Sequence, residues 1–182
     1  LAALDKEMSW SDAALAGSAI ETAFIGGGTP SFLTNNQLKA LFGMIGKRFD
    51  LSNSEVSFEL HPSLAKQADA ADRISTLLKG GVNRFVLGVQ TLDRDILRIL
   101  NRGHGVDEVM QTVKLLKGMG VENLSLDLMY GLPQQTLRSW YGSLIGLLDM
   151  EVEKFNIFPL MFKSTDPIAR HLARGRYQFA GA

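Results

Sequence analysis

The chain has 182 residues, of which 46% are hydrophobic, and its 19 basic and 19 acidic side chains cancel. That is enough for one sizeable core and one domain spanning residues 1–182. The balanced charge offers no basic patch for nucleic acid, no apolar run is long enough to span a bilayer, and the lack of cysteine excludes disulfides and any thiolate-bound metal within these residues.

His61, His104 and His171 are scattered, which argues against a histidine-based metal site. The chain opens on Leu1 without an initiator methionine or a signal peptide, and it closes on Phe179-Ala180-Gly181-Ala182. The expectation is a cytoplasmic protein whose two ends are cut from something longer.

Taken in order, Leu1, Leu4 and Met8 have the spacing of a helix tail, and Trp10 to Ser18 reads as a small, Ala-rich connection. Glu21 to Ile25 is the first strand. Asn35 or Asn36 caps a helix to about Arg48, with Leu38, Leu41, Phe42 and Ile45 on one face. Val56 to Leu60 is the second strand, ended by His61-Pro62. A helix from about Ala70 to Lys79 is closed by Gly80-Gly81. Arg84 to Val89 is the third strand, stopping at Gln90.

Asp93 caps a short helix to Leu100, and Asp107 opens another to Met119, with Gly120 ending it. Asn123 to Met129 is the fourth strand. Thr136 caps a helix to about Asp149, Lys154 to Leu160 is the fifth strand, and Asp166-Pro167 begins a last helix. The alternation, with near-continuously apolar strands, predicts a parallel sheet covered by helices. Either an α/β barrel or a doubly wound sheet satisfies it. A complete eight-fold barrel takes about 250 residues, so a partial barrel suits this length better.

The first strand runs into Gly26-Gly27-Gly28-Thr29-Pro30. Glycines turn the chain at positive φ and let a ligand approach bare backbone N–H groups. A dinucleotide loop would need a third glycine where Ser31 stands, and a phosphate loop would need a lysine, absent before Lys39. Both better-known motifs fail, which leaves a tight turn or a different ligand.

In parallel α/β proteins ligands bind outside the carboxyl ends of the strands. The polar residues there are Gly26 to Thr29, Glu59, Gln90, and Asp127 with Tyr130; Arg102 follows the loop after the third strand. Such a set suits a polar zwitterion bearing hydroxyls: carboxylates for ammonium and hydroxyl groups, arginine for a carboxylate. Taken singly, Glu59 could be solvated, Gln90 could cap the next helix, and Arg102 could be a surface arginine. Asp127 sits inside Leu124-Ser125-Leu126-Asp127-Leu128-Met129, where a carboxylate needs a partner.

Five motifs occur in one order: Ile-Gly-Gly-Gly-Thr-Pro-Ser from Ile25, Glu-x-x-Pro from Glu59, Gly-Val-Asn-Arg-Phe-x-Leu-Gly-Val-Gln from Gly81, Leu-x-x-Leu-x-Arg-x-His from Leu97, and Asp-Leu-Met-Tyr-Gly-Leu-Pro-x-Gln-Thr from Asp127. Together they resemble the radical S-adenosylmethionine (SAM) proteins of the oxygen-independent coproporphyrinogen III oxidase family, its haem-chaperone relatives included, over roughly Ala3 to Arg176. The resemblance implies a partial parallel (β/α)6 barrel, here incomplete at both ends. It implies that Gly27, Gly28 and Thr29 contact SAM through backbone and that Glu59 meets its methionyl or ribose part. Gln90 and Asp127 would hold the ribose hydroxyls, Arg102 the carboxylate, and the strand end near Met161 the adenine.

It further implies a [4Fe–4S] cluster, an electron donor such as flavodoxin or ferredoxin, and a porphyrinogen or haem as the other ligand. In the oxidase a 5′-deoxyadenosyl radical starts oxidative decarboxylation of propionates to vinyl groups. The family's Cys-x-x-x-Cys-x-x-Cys loop would precede Leu1, relatives usually carry asparagine where His61 stands, and the substrate domain is not in this chain. A haem chaperone on the same scaffold is the alternative, with His104 as a conceivable haem ligand. A barrel without any ligand role is the third reading.

Overall fold

The computed structural model describes residues 1–15 and 18–178. Its elements in chain order are α1 (Ala2–Leu15), β1 (Thr22–Ile25), α2 (Asn35–Gly46), β2 (Glu55–Leu60), α3 (Ala70–Lys79), β3 (Arg84–Gln90), α4 (Arg94–Ile99), α5 (Val106–Gly118), β4 (Leu124–Tyr130), α6 (Leu137–Leu148), β5 (Lys154–Pro159) and α7 (Pro167–Ala173). Short 3-10 turns at Pro30–Phe32 and Pro62–Lys66 follow β1 and β2.

All five strands pair in parallel, in the order β1-β2-β3-β4-β5. A doubly wound sheet reverses its order partway, because its helices cover both faces. Here the order never reverses. With right-handed crossovers every connecting helix then falls on one side of the sheet. That is the arrangement of a partial barrel, and it decides between the two architectures the sequence allowed.

The alternation along the strands shows which face meets the helices. Val56, Phe58 and Leu60 on β2, Phe85, Leu87 and Val89 on β3, and Leu124, Leu126 and Leu128 on β4 are buried in one cluster with Ile74, Leu77, Val109, Val113 and Leu116 of α3 and α5. Phe58, Leu87, Leu126 and Leu116 have no exposed surface. Each such side chain contributes about 1.5–3 kcal/mol through burial. The opposite, inner face carries Ser57, Glu59, Arg84, Gly88, Ser125, Asp127 and Asn156 among its residues, matched in register across the strands. The strands are therefore not continuously apolar as the sequence suggested: one face is polar, because it lines the hollow of the barrel rather than a second helix layer.

Three element assignments change, the first being that α5 starts at Val106 with Gly105 as its cap, ahead of the expected Asp107. Residues up to Leu15 continue α1, so most of the expected Trp10–Ser18 connection is helix, and its Ala16 and Gly17 lie outside the described residues. The cap of α2 is Thr34, one residue before the expected asparagines: its Oγ1 accepts from the Gln37 N–H while the Gln37 side chain accepts from the Thr34 N–H. This reciprocal capping box satisfies two N–H groups that the first turn leaves unpaired. Asp93 and Thr136 cap α4 and α6 as expected.

Candidate functional site

The turn after β1 has three successive residues at positive φ, Gly27 at 77°, Gly28 at 62° and Thr29 at 61°. Glycine adopts this without strain; threonine does not, and holds it only because its surroundings impose it. Those surroundings are visible. Arg73 of α3 donates from Nη1 to the carbonyls of Ser31 and Leu33, and the Ser31 hydroxyl accepts from the His61 N–H at the end of β2. The turn is thus tied to α3 and to the neighbouring strand end.

Gly26 is small for a different reason. A β-carbon there would collide with the Phe24 ring and stand 2.7 Å from Cδ of Glu59, whose side chain lies across it. Glu59 uses that passage to accept a hydrogen bond from the Gly27 N–H at 2.9 Å. At Gly27 and Gly28 nothing lies within 4 Å of where a β-carbon would be, so the backbone there is open to approach. The turn also lines a cleft of about 680 Å³ with Phe24, Phe32, Leu4 and Met8.

Asp127 is half-buried on the inner face of β4. Its partner is Asn156 of β5, directly opposite in register, which donates from Nδ2 to Oδ1 at 2.8 Å. Burial raises the Asp127 pKa above the ordinary carboxylate value, the Asn156 bond opposes this, and the negative charge of Glu59 adds to it. Both acids belong to the inner face, on strands separated by β3. Asn156 escaped the sequence reading. Its signal was a period-two alternation of Lys154 and Asn156 with Phe155 and Ile157.

β3 ends in an irregularity. Its register with β4 shifts between Gly88 and Gln90, and Gln90 takes φ 70°. Strain of this kind, of order 1–3 kcal/mol, gathers where a side chain must be aimed. A β-carbon at Gly88 would stand 3.1 Å from the Gln90 amide nitrogen and 3.5 Å from Nη2 of Arg102, so these three residues converge. Arg102 donates from Nη2 to the Gly88 carbonyl at 3.4 Å, while its buried Nε finds no partner among the described residues. Burial also lowers its pKa. Arg102 is therefore no ordinary surface arginine, Gln90 does not cap α4, and Glu59 is not merely solvated.

The loop that carries Arg102 also carries His104, which is buried together with His61. Their rings meet edge to face with centroids 4.9 Å apart, and His104 Nδ1 is 3.3 Å from His61 Nε2. His104 Nε2 lies 3.2 Å from the Val89 carbonyl, and His61 Nδ1 accepts from the Ser63 N–H. Burial pushes both imidazoles down, His61 to about 4. With both ring nitrogens engaged and the residue only 6% exposed, His104 is not presented to a haem iron. The two histidines, read separately in the sequence, are one unit.

Seven of the eight expected site residues fall into two connected groups at the strand ends: Gly27, Gly28 and Thr29 with Glu59, and Asp127, whose register partner Gly88 meets Gln90 and Arg102. Met161 stands apart, 83% exposed beyond the end of β5. The Leu160 N–H, just before it, donates to the Tyr130 carbonyl and ties that end to β4.

Comparison with known proteins follows the same line. The sequence profile described as the radical SAM superfamily matches residues 8–144. A protein of Bacillus subtilis named "Heme chaperone HemW" is 34% identical over 97% of this chain and 46% of its own length. Its namesake from Escherichia coli is 31% identical over 91% of this chain and 43% of its own length. The chain spans less than half the length of these curated relatives. Among solved structures, that titled "Coproporphyrinogen III oxidase (HemN) from Escherichia coli is a Radical SAM enzyme" superposes with a TM-score of 0.79 at 26% identity, covering 90% of this chain and 37% of that one.

Proposed function

The chain belongs to the radical SAM superfamily, and from that premise we propose that its 182 residues form the SAM-holding core domain of a haem-handling protein of the chaperone type. One observation carries this reading: polar groups gather at the carboxyl ends of neighbouring strands, the Gly27 N–H with Glu59 at β1 and β2, and Asp127 of β4 beside Gly88, Gln90 and Arg102 at the end of β3.

These residues suit SAM on physical grounds. The buried Nε of Arg102 finds no partner among the described residues and would be matched by the carboxylate of the ligand. The open backbone at Gly27, Gly28 and Thr29 admits its methionyl part. Glu59 holds one oxygen toward Gly27 and keeps the other for the ammonium group. Asp127, steadied by Asn156, and Gln90 accept and donate to the ribose hydroxyls. Met161, beyond the end of β5, would cover the adenine edge in this reading. The residues of this chain bind and orient; SAM supplies a 5′-deoxyadenosyl radical when an electron reaches it from a reduced cluster.

The chain has no cysteine, and among the described residues no group of three potential metal ligands gathers. Thiolates for a [4Fe–4S] cluster would come from outside these 182 residues, as would the docking face for a flavodoxin or ferredoxin. A haem or porphyrinogen is the second ligand in this reading. The two relatives named as haem chaperones favour haem. The structural likeness to the coproporphyrinogen III oxidase supports a second reading, decarboxylation of a porphyrinogen.

Calorimetry of the full-length protein with SAM, followed by haem titration, tests the proposal. Saturable SAM binding is expected, together with a shifted haem absorption band whose position His104→Ala leaves unaltered. Absence of SAM binding overturns the site, and coproporphyrinogen consumption without haem binding selects the oxidase.

A further inference from the structure

The His61–His104 pair touches no part of the set of groups assigned to the ligand, yet it is built against the strained end of β3. Two neighbouring carbonyls there are held by one loop: Gly88 by Arg102 Nη2 and Val89 by His104 Nε2. Gln90, at φ 70°, is the next residue. His104 is in turn held from behind by His61 at the end of β2.

Backbone groups fix the direction of hydrogen bonding at both ends of this chain. A carbonyl only accepts, so His104 Nε2 carries the proton toward Val89, and its Nδ1 is an acceptor. A peptide N–H only donates, so His61 Nδ1 accepts from the Ser63 N–H at 3.2 Å, with the Ser63 hydroxyl 2.7 Å away, and its Nε2–H points at His104 Nδ1. With both rings neutral, one arrangement satisfies these contacts, both protons on Nε2. An added proton on His104 sets its Nδ1–H against the His61 Nε2–H, and one on His61 sets its Nδ1–H against the Ser63 amide, with the Ser63 hydroxyl as its acceptor.

We propose that the His61–His104 pair is a positioning device which holds the bulge at Gly88–Gln90, and with it Gln90 and Arg102, in the geometry that receives SAM. This rests on the SAM reading given above. The charged groups facing the pair reinforce neutrality. Arg102 opposes a positive charge on both rings and Lys66 opposes one on His104. Glu108 alone favours a charge on His104, and it is engaged by Lys66 at 2.7 Å. Phe32 covers His61, with ring centroids 5.4 Å apart.

His61→Asn keeps a short amide that can accept from Ser63 and donate to His104, but it does not titrate. His104→Leu removes the donor to Val89. SAM affinity measured by calorimetry on the full-length protein at pH 7.5 is expected to fall about tenfold or more in His104→Leu and to stay within about twofold in His61→Asn, as loss of one buried hydrogen bond predicts. If His104→Leu does not fold, His61→Leu, which removes the donor to His104 from outside, is expected to lose affinity in the same way.

Nitrogen-15 spectra of the histidine rings supply a readout independent of SAM. Two neutral rings protonated at Nε2 down to pH 6 are expected. Titration of either ring near 6.5, or a proton on Nδ1, overturns the proposal. So does unchanged affinity in the leucine variants of a protein that otherwise binds SAM. If the unsubstituted protein binds no SAM, the site reading falls first and the positioning role falls with it, whatever the ring spectra show.

Discussion

At the scale of single residues, Asp127 carries opposed demands. Burial and the nearby Glu59 disfavour its charge, and the Asn156 hydrogen bond and the charge of Arg84 offset them in part. A group held this way adds nothing to stability at neutral pH and is retained for what it binds. Asp127→Asn is therefore expected to leave the melting temperature unchanged or raised while weakening SAM binding by about 1–3 kcal/mol, read by thermal melts beside calorimetry. A parallel fall in both would mean that the carboxylate supports the fold instead. Gly26 makes the complementary case. Gly26→Ala drives a β-carbon into the Phe24 ring and the Glu59 carboxylate, so both side chains must shift and Glu59 is displaced from the Gly27 N–H. Loss of SAM binding in a folded protein is the expected result, and retained affinity would show that Glu59 has room to move.

At the scale of elements, the strand-to-helix rhythm was legible because apolar runs, glycine stops and capping side chains are local signals. Asp93 and Thr136 cap where their side chains predict, and α3 has the expected bounds. The failures were also local in cause. Asn35 and Asn36 compete as caps on propensity alone, whereas Thr34 prevails because Gln37 answers it three residues on. The turn after β1 depends on something no local reading contains: Arg73, from α3, holds two of its carbonyls. Arg73→Ala leaves both without that donor and is expected to destabilise the protein by about 1–3 kcal/mol, measured by urea denaturation. The same substitution should loosen the turn, visible as faster amide exchange at Gly27 to Thr29.

At the scale of the whole molecule, the buried imidazoles make stability depend on pH. The unfolded chain takes up protons as pH falls below the ordinary histidine value of about 6.5, while the folded His61 resists until about 4 and His104 is lowered likewise. Their contribution is fully present above about pH 6.5 and is lost progressively as pH falls toward 4. Asp127, raised in the fold, acts in the opposite sense and recovers stability as it protonates. Melting temperatures between pH 7.5 and 4.5 are expected to decline on the acid side, less steeply in His61→Asn because one of the two resisting groups is gone. An identical slope in the variant would mean that His61 titrates normally.

Among the described residues no helix is long and apolar enough to cross a membrane. The strand count, the parallel class, the caps of α4 and α6 and the polar residues at the strand ends were readable from the sequence. Each depends on residues within a few positions of one another. The choice of a barrel over a doubly wound sheet, the pairing of Asp127 with Asn156 and the union of His61 with His104 were decided only by the tertiary structure. They join residues 29 and 43 positions apart. Separations of that size are closed by strand order and register, and no local propensity encodes either.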